Sequence, residues 1–198
     1  MSDPVTDGDE AATLLTPEER ADLIPSYITT REDLNAAEQE NILAAVPWLE
    51  RSGRRRDILT EDFLRELHRR MFNKVWRWAG KYRQSDKNIG SPWREVPIRV
   101  HQLLDDAKAW LKYKSFDPDE LAVRFHHQLV SIHLFPNGNG RHARLMADTL
   151  VRRLGRPTFS WGSGANLSTF SDSRAQYVSA LRDADNHEIM ALLAFARS

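Results

Sequence analysis

The sequence predicts an all-α fold carrying one short β-hairpin. Three observations point there. Apolar residues recur at three- and four-residue intervals along most of the chain, and Thr, Asp and Pro stand at the starts of those runs. One segment, residues 88–100, breaks the pattern with Gly90, Pro92 and Pro97 set around Trp93, Val96 and Ile98. The 198 residues, 41% hydrophobic and 28% charged, suit one globular domain, or one domain with an arm, better than two domains, and no internal repeat is present.

Composition removes several classes of function. With 28 basic and 28 acidic residues the formal net charge is zero, so no global field draws the chain to nucleic acid or to anionic lipid. The absence of cysteine excludes disulfides, thiolate metal sites and a cysteine nucleophile, and fits a reducing compartment. No apolar run reaches the roughly 18 to 20 residues of a membrane span, and the acidic N-terminus is opposite in sign to a secretory leader. The expectation is a cytoplasmic protein.

The elements follow in order. Residues 1–15, with Asp3, Asp7, Asp9 and Glu10 and no apolar period, read as a flexible acidic arm. Residues 16–50 read as an N-terminal helical segment. Thr16-Pro17-Glu18-Glu19 starts a short helix that Pro25 breaks, and Thr29 or Thr30 starts a second that Pro47 ends. Residues 51–198 read as the main domain, opening on a basic connector, Arg51 to Arg56. Thr60 caps a helix bearing Phe63, Leu64, Leu67, Met71, Phe72 and Val75 and ending at Gly80. After the hairpin, Leu103, Leu104, Ala107, Trp110 and Leu111 mark another helix, and Asp117-Pro118 caps one running through Phe125 and Leu129 towards His133. A helix from Arg141 to Leu154 stops at Gly155 and Pro157. Residues 160–173 form a Gly/Ser-rich loop, and two final helices cover about 172–184 and 187–196.

The chemistry concentrates in His133-Leu134-Phe135-Pro136-Asn137-Gly138-Asn139-Gly140-Arg141-His142-Ala143-Arg144. Pro136 and the Gly-Asn-Gly sequence turn the chain tightly between two helices, so that backbone N–H groups can gather at the start of the second. The helix dipole there favours an anion, and Arg141 and Arg144, three residues apart, project two guanidinium groups to one side. Two arginines beside such a turn suggest more than one phosphate. His133, at the end of the first helix, is the nearby side chain able to take a proton near neutral pH. Either element alone reads as structure, a helix-end histidine or a simple turn; together they imply group transfer at phosphorus.

The pattern His-x-Phe-x-x-Gly-Asn-Gly-Arg-x-x-Arg resembles the signature of Fic-domain (Fic/DOC) proteins. The segments from Leu67 to Phe72, Trp78 to Arg83 and Arg174 to Leu181 resemble the surroundings of that signature, and the whole chain resembles the Fic subgroup called mobile mystery protein B. The resemblance implies a mainly helical Fic fold and transfer of AMP from ATP to a hydroxyl side chain of a target protein. It makes His133 the base. Asn139 with the Gly138 and Gly140 amides would hold the α- and β-phosphates, Arg141 and Arg144 the β- and γ-phosphates, and Tyr177 would line the nucleobase pocket. The hairpin over residues 88–98 would be a flap pairing with a target strand. Mg²⁺ or Mn²⁺ would accompany ATP. Asn137 stands where most Fic signatures place an acidic metal ligand, so the amide would contribute no charge and the phosphates would hold most of the cation.

Many Fic proteins also carry an inhibitory helix, Ser/Thr-x-x-x-Glu-Gly/Asn. Ala36 to Asn41 matches it at Glu40 and Asn41 and departs at Ala36, which implies a Glu40–Arg144 pair blocking the γ-phosphate. A weakly active or inactive nucleotide-binding regulatory module, or an enzyme removing AMP, stands as the alternative. The resemblance also admits a toxin–antitoxin-like partner or a homo-oligomer. Gly162-Ser163-Gly164 lacks a preceding strand and a third glycine, and His126-His127 point about 100° apart on a helix, so neither reads as a nucleotide loop or a metal site.

Overall fold

The structure, a computed structural model, describes residues 15–162 and 172–198. These residues form α1 (Pro17–Ala21), α2 (Arg31–Arg55), α3 (Glu61–Phe72), α4 (Val96–Tyr113), α5 (Pro118–Ile132), α6 (Asn139–Arg153), α7 (Asp172–Asp185) and α8 (Met190–Arg197). A short 3-10 turn, Trp93–Glu95, precedes α4. The starts have local causes. Thr16 Oγ1 accepts from the Glu19 N–H at 3.3 Å while Glu19 Oε2 accepts from the Thr16 N–H at 2.8 Å, and Thr30 and Asp33 repeat the exchange at 3.1 and 3.0 Å. Proline occupies the first turn of α1, α4 and α5, where its missing N–H costs no helical bond.

Around this order the helices bury one core. α5 and α6 pack along each other, α2 lies on α3 and α6, α4 covers α5, and α7 and α8 pair beside α5. Arg197 clamps Asp119 with bonds of 2.7 and 2.8 Å, fastening α8 to the first turn of α5. Leu15, the last residue of the expected arm, is buried in the core, whereas residues 1–14 lie outside the described residues. No helix among the described residues is long and apolar enough to cross a membrane.

Three sequence expectations change. Pro47 does not end the second helix, and the expected connector from Arg51 to Arg56 is almost entirely the end of α2, so the 50/51 boundary falls inside one helix. An interior proline costs about 3 kcal/mol, and the flanking contacts offset it. Ala45 and Leu49 are buried, Trp48 stacks on Phe63 at 5.4 Å beneath Arg70 at 4.5 Å, and Gly53 admits Thr149 where a Cβ would approach within 2.7 Å.

The hairpin is not formed. Among the described residues the backbone makes a single isolated bridge, Leu23 with Trp76, and Val96 onward is helix. Pro97 sits in the first turn of α4, and Val96, Val100, Leu103, Leu104 and Ala107 bury one helical face, so the 3.6-residue period wins over alternation.

α3 stops at Phe72 rather than Gly80, and the cause lies on another helix. Asn41 of α2 donates to the Arg70 carbonyl at 3.0 Å and accepts from the Lys74 N–H at 2.8 Å, capping α3 from outside. Asn41 therefore has a structural task. Replacing it by alanine leaves a part-buried carbonyl and N–H without this partner, and Asn41→Ala is expected to lower unfolding stability by about 0.5 to 1.5 kcal/mol in denaturant titrations.

Candidate active site

His133 follows the last residue of α5 in the left-handed region, φ 59° and ψ 66°. From there Leu134 to Asn137 turn the chain into α6, whose N-cap Gly138 has φ 79°. Packing dictates each feature of that turn. Phe135 is fully buried against the His68 ring, 3.7 Å between centroids. A Cβ on Gly138 would meet Phe72 Cζ at 2.5 Å, so the close approach admits only glycine. His68 Nδ1 accepts from the Gly80 N–H at 3.0 Å, which leaves Nε2 to donate to the Asn137 carbonyl at 3.0 Å. His142, one turn into α6, donates from Nε2 to the Leu64 carbonyl at 3.0 Å.

A cavity of about 720 Å³ opens on this turn. His133, Asn137, Gly138, Gly140, Arg141, Arg144 and Tyr177, all singled out in the sequence, line it together. The first turn of α6 lies on its wall, and its leading N–H groups have no intrahelical acceptor. A Cβ on Gly140 would lie 3.7 Å from Arg144 Nη1 and 3.8 Å from the Tyr177 hydroxyl, which places those three groups side by side. The Tyr177 hydroxyl also shares a hydrogen bond of 3.0 Å with His126 Nε2. Burial pushes the Tyr177 hydroxyl up and the Arg144 guanidinium down from their ordinary ranges, and each opposes the other's shift.

Asn139 lines the cavity as well. Its carboxamide donates to the Phe135 carbonyl at 2.8 Å and accepts from the Phe135 N–H at 2.9 Å, so the side chain also shapes the turn. Asn137 Oδ1 accepts from the Gly138 N–H at 2.6 Å. Among the described residues no group of three or more His, Cys, Asp or Glu could hold a metal ion.

The expected inhibitory pair is also revised. Glu40 is exposed on α2 and makes no pair with Arg144. The carboxylate that enters the cavity is Glu38, 2% exposed, with Oε2 2.7 Å from Arg141 Nη1 and Oε1 accepting from Trp76 Nε1 at 2.7 Å. The helical period explains the exchange. Buried Leu34, Glu38, Asn41, Ile42, Ala45 and Leu49 share one face of α2, and two residues' rotation takes position 40 to the far side. That face was readable in the sequence, where the motif match drew attention to Glu40 instead.

Sequence reasoning also missed what surrounds His133. His133 is only 4% exposed, and Gly90, at φ 100°, packs so closely that a Cβ there would meet His133 Cβ at 2.5 Å. Burial, with the Arg83 and Lys87 cations nearby, pushes the imidazole down to about 3. The ring is therefore neutral at pH 7, in the form that accepts a proton. Lys87 is itself buried against Glu19 of α1, whose other oxygen accepts from Ser85 Oγ at 3.1 Å.

The chain is similar to known proteins in sequence and in fold. Residues 58–151 match the model of the Fic/DOC family. The protein adenylyltransferase Fic of Aedes aegypti is 34% identical over 105 residues, 51% of this chain and 21% of that protein. Fic-1 from Caenorhabditis elegans is similar in structure with a TM-score of 0.66 and 25% identity, over 90% of this chain and 51% of that one. BepC from Bartonella tribocorum, solved with bound AMPPNP, has the same TM-score of 0.66 at 16% identity, over 92% of this chain and 97% of that one. The chain spans about a fifth of the length of the curated relatives it matches.

Two measurements follow from the site. Glu38→Gln keeps the acceptor for Trp76 and removes the charge from Arg141, so calorimetric ATP affinity is expected to rise roughly tenfold, whereas Glu40→Gln leaves it unchanged; the reverse result returns the pairing to Glu40. The second concerns stability. Burial depresses His126 and His133 to about 3 and His142 to about 4, and holds His68 well below its usual range. The unfolded chain binds these protons below about pH 6.5 and the folded one does not, so stability is expected to fall by about 1.4 kcal/mol per pH unit for each histidine as pH drops through that point. Denaturant midpoints from pH 7 to pH 5 test the slope.

Proposed function

Because residues 58–151 carry a Fic/DOC family domain, we propose that this chain transfers AMP from ATP to a hydroxyl side chain of a target protein, restrained by Glu38 of α2. The observation that carries the reading is the convergence of one imidazole, two arginines and an open helix N-terminus on a single cavity. Relatives named protein adenylyltransferase, and a neighbour of the same fold solved with AMPPNP, support the choice of nucleotide.

In this reading the β- and γ-phosphates lie against Arg141 and Arg144, and the α-phosphate lies at the first turn of α6, near the Gly138 and Gly140 backbone. Tyr177 borders the nucleobase. His133 takes the proton of the target hydroxyl as its oxygen bonds to the α-phosphorus; the bond to the bridging oxygen breaks, and its electrons leave with pyrophosphate. The divalent cation arrives with the nucleotide as part of the substrate, since Asn137 supplies no charge. Binding of ATP requires Arg141 to exchange Glu38 for phosphate. Acceptance of a hydroxyl requires the segment around Gly90 to move off His133, and that segment takes the place of the expected flap.

A second reading has its own support. Asn137 in place of a carboxylate, Glu38 on Arg141 and the covered imidazole together favour a nucleotide-binding regulatory module with little transfer, or removal of AMP from a modified target. Incubation with α-labelled ATP and either Mg²⁺ or Mn²⁺ separates the readings. Protein labelling is expected to increase roughly tenfold in Glu38→Gln and to vanish when His133→Ala is added. Tight ATP binding without label in every variant would favour the module.

A further inference from the structure

We infer that Arg83 is a positioning residue that fastens the backbone of His133 to the two ends of the loop above it, Ser85 and Ser91, and so fixes where His133 sits when the loop between those ends shifts. The inference rests on the transferase reading for its kinetic consequence and on geometry for its substance. Arg83 is 1% exposed, at the end of a segment between α3 and the loop 85–92. Its Nε donates to the His133 carbonyl at 2.5 Å and its Nη2 to the Ile132 carbonyl at 3.3 Å, which are the carbonyls left open at the end of α5. The other side of the guanidinium reaches the loop. Nη1 donates to the Ser85 carbonyl at 2.9 Å and Nη2 to the Ser91 carbonyl.

Four carbonyl acceptors thus surround one buried cation, two from the base's own turn and two from the loop, while Asp86 stands 3.8 Å away and mostly in solvent. The backbone repeats the link. The Arg83 N–H donates to the Leu134 carbonyl at 3.0 Å, and the Ser91 N–H to the Ile132 carbonyl at 3.4 Å. Between Ser85 and Ser91 the loop carries Gly90 onto the His133 side chain, and its Ile89, Gly90, Ser91 and Pro92 line the same cavity. A planar fork with five donors spans such a set of acceptors, whereas an ammonium on a flexible stem cannot satisfy acceptors on both sides at once. Arg83 does not line the phosphate cavity, so its effect on the reaction passes through the placement of His133 and the loop.

The test compares full-chain Arg83→Lys and Arg83→Met with the parent protein, using ATP throughout. Calorimetric ATP affinity and KM for ATP are expected to hold, while kcat for label transfer falls about a hundredfold in both variants. In hydrogen exchange, the Ser91 and Arg83 amides are expected to lose protection while the α6 amides keep theirs. The His133 imidazole titration, followed by nuclear magnetic resonance, is expected to move up in Arg83→Met and less in Arg83→Lys, which retains the cation. Wild-type kcat in Arg83→Lys would reduce the residue to a charge and overturn the proposal; so would loss of ATP binding together with loss of protection along α6, which marks general unfolding. Should Arg83→Met fail to fold, the exchange pattern of Arg83→Lys decides. If the parent protein transfers no label at all, the transferase reading fails, while exchange and imidazole titration still judge the positioning role.

Discussion

The structure depends on holding one turn, His133 to Gly138, in a single shape. Residues of the turn itself, of α3 and of α6 enforce it together. Asn139 closes a pair of hydrogen bonds on the Phe135 backbone, His68 fixes the Asn137 carbonyl, and Gly138 lies against Phe72 at a distance no side chain permits. Phe135 packs against both His68 and His142, so the turn is fastened to α3 and α6 before any ligand arrives. Because His133 precedes the turn and α6 begins with it, their relative placement is a property of the packed core and owes little to mobile side chains. Such preorganisation is what electrostatic catalysis requires, since donors already in place need not reorganise as charge develops.

The charges around the cavity obey a related constraint. Arg141 and Arg144 both face a volume partly withdrawn from water, and a cation buried without a partner is costly. Each therefore has an internal partner. Arg144 lies beside the Tyr177 ring, 5.5 Å from its centroid, while Arg141 takes the Glu38 carboxylate and rests over Phe72 at 5.0 Å. A phosphate approaching Arg141 competes with a carboxylate already desolvated and bonded to Trp76, so the opposition comes from a formed ion pair. Glu38 satisfies the resting protein with the same interaction that a substrate would need.

Much of this was legible in the sequence, and the failures have physical causes. Caps at Thr16, Thr30 and Thr60, the runs that became α4 to α6, and the clustering of His133, Arg141 and Arg144 all follow from local rules that the tertiary structure does not override. Pro47 misled because its cost is local while the compensation, Trp48 on Phe63 and Gly53 on Thr149, is between helices. Residues 88–100 misled for the opposite reason. Two prolines suggested an edge strand, yet Pro97 in a first turn is compatible with a helix and the buried face from Val96 to Ala107 was already periodic. Arg83 carried no signal as a positioning group, since its partners are backbone carbonyls far along the chain.

The two obstacles to the proposed reaction come from different parts of the fold and would cover different reactants. Glu38 on α2 occupies the arginine that a polyphosphate would use, whereas the loop around Gly90 lies on the imidazole that an acceptor hydroxyl would approach. Displacing the first does not displace the second, because the loop is held by Arg83 from below and by Glu19 of α1 through Ser85 and Lys87 from the side. A nucleotide that removes Glu38 from Arg141 therefore meets a cavity whose base is still covered. In the proposed reaction that arrangement would separate nucleotide loading from transfer, and it would keep water from the imidazole, and so the bound nucleotide from hydrolysis, until the loop shifts.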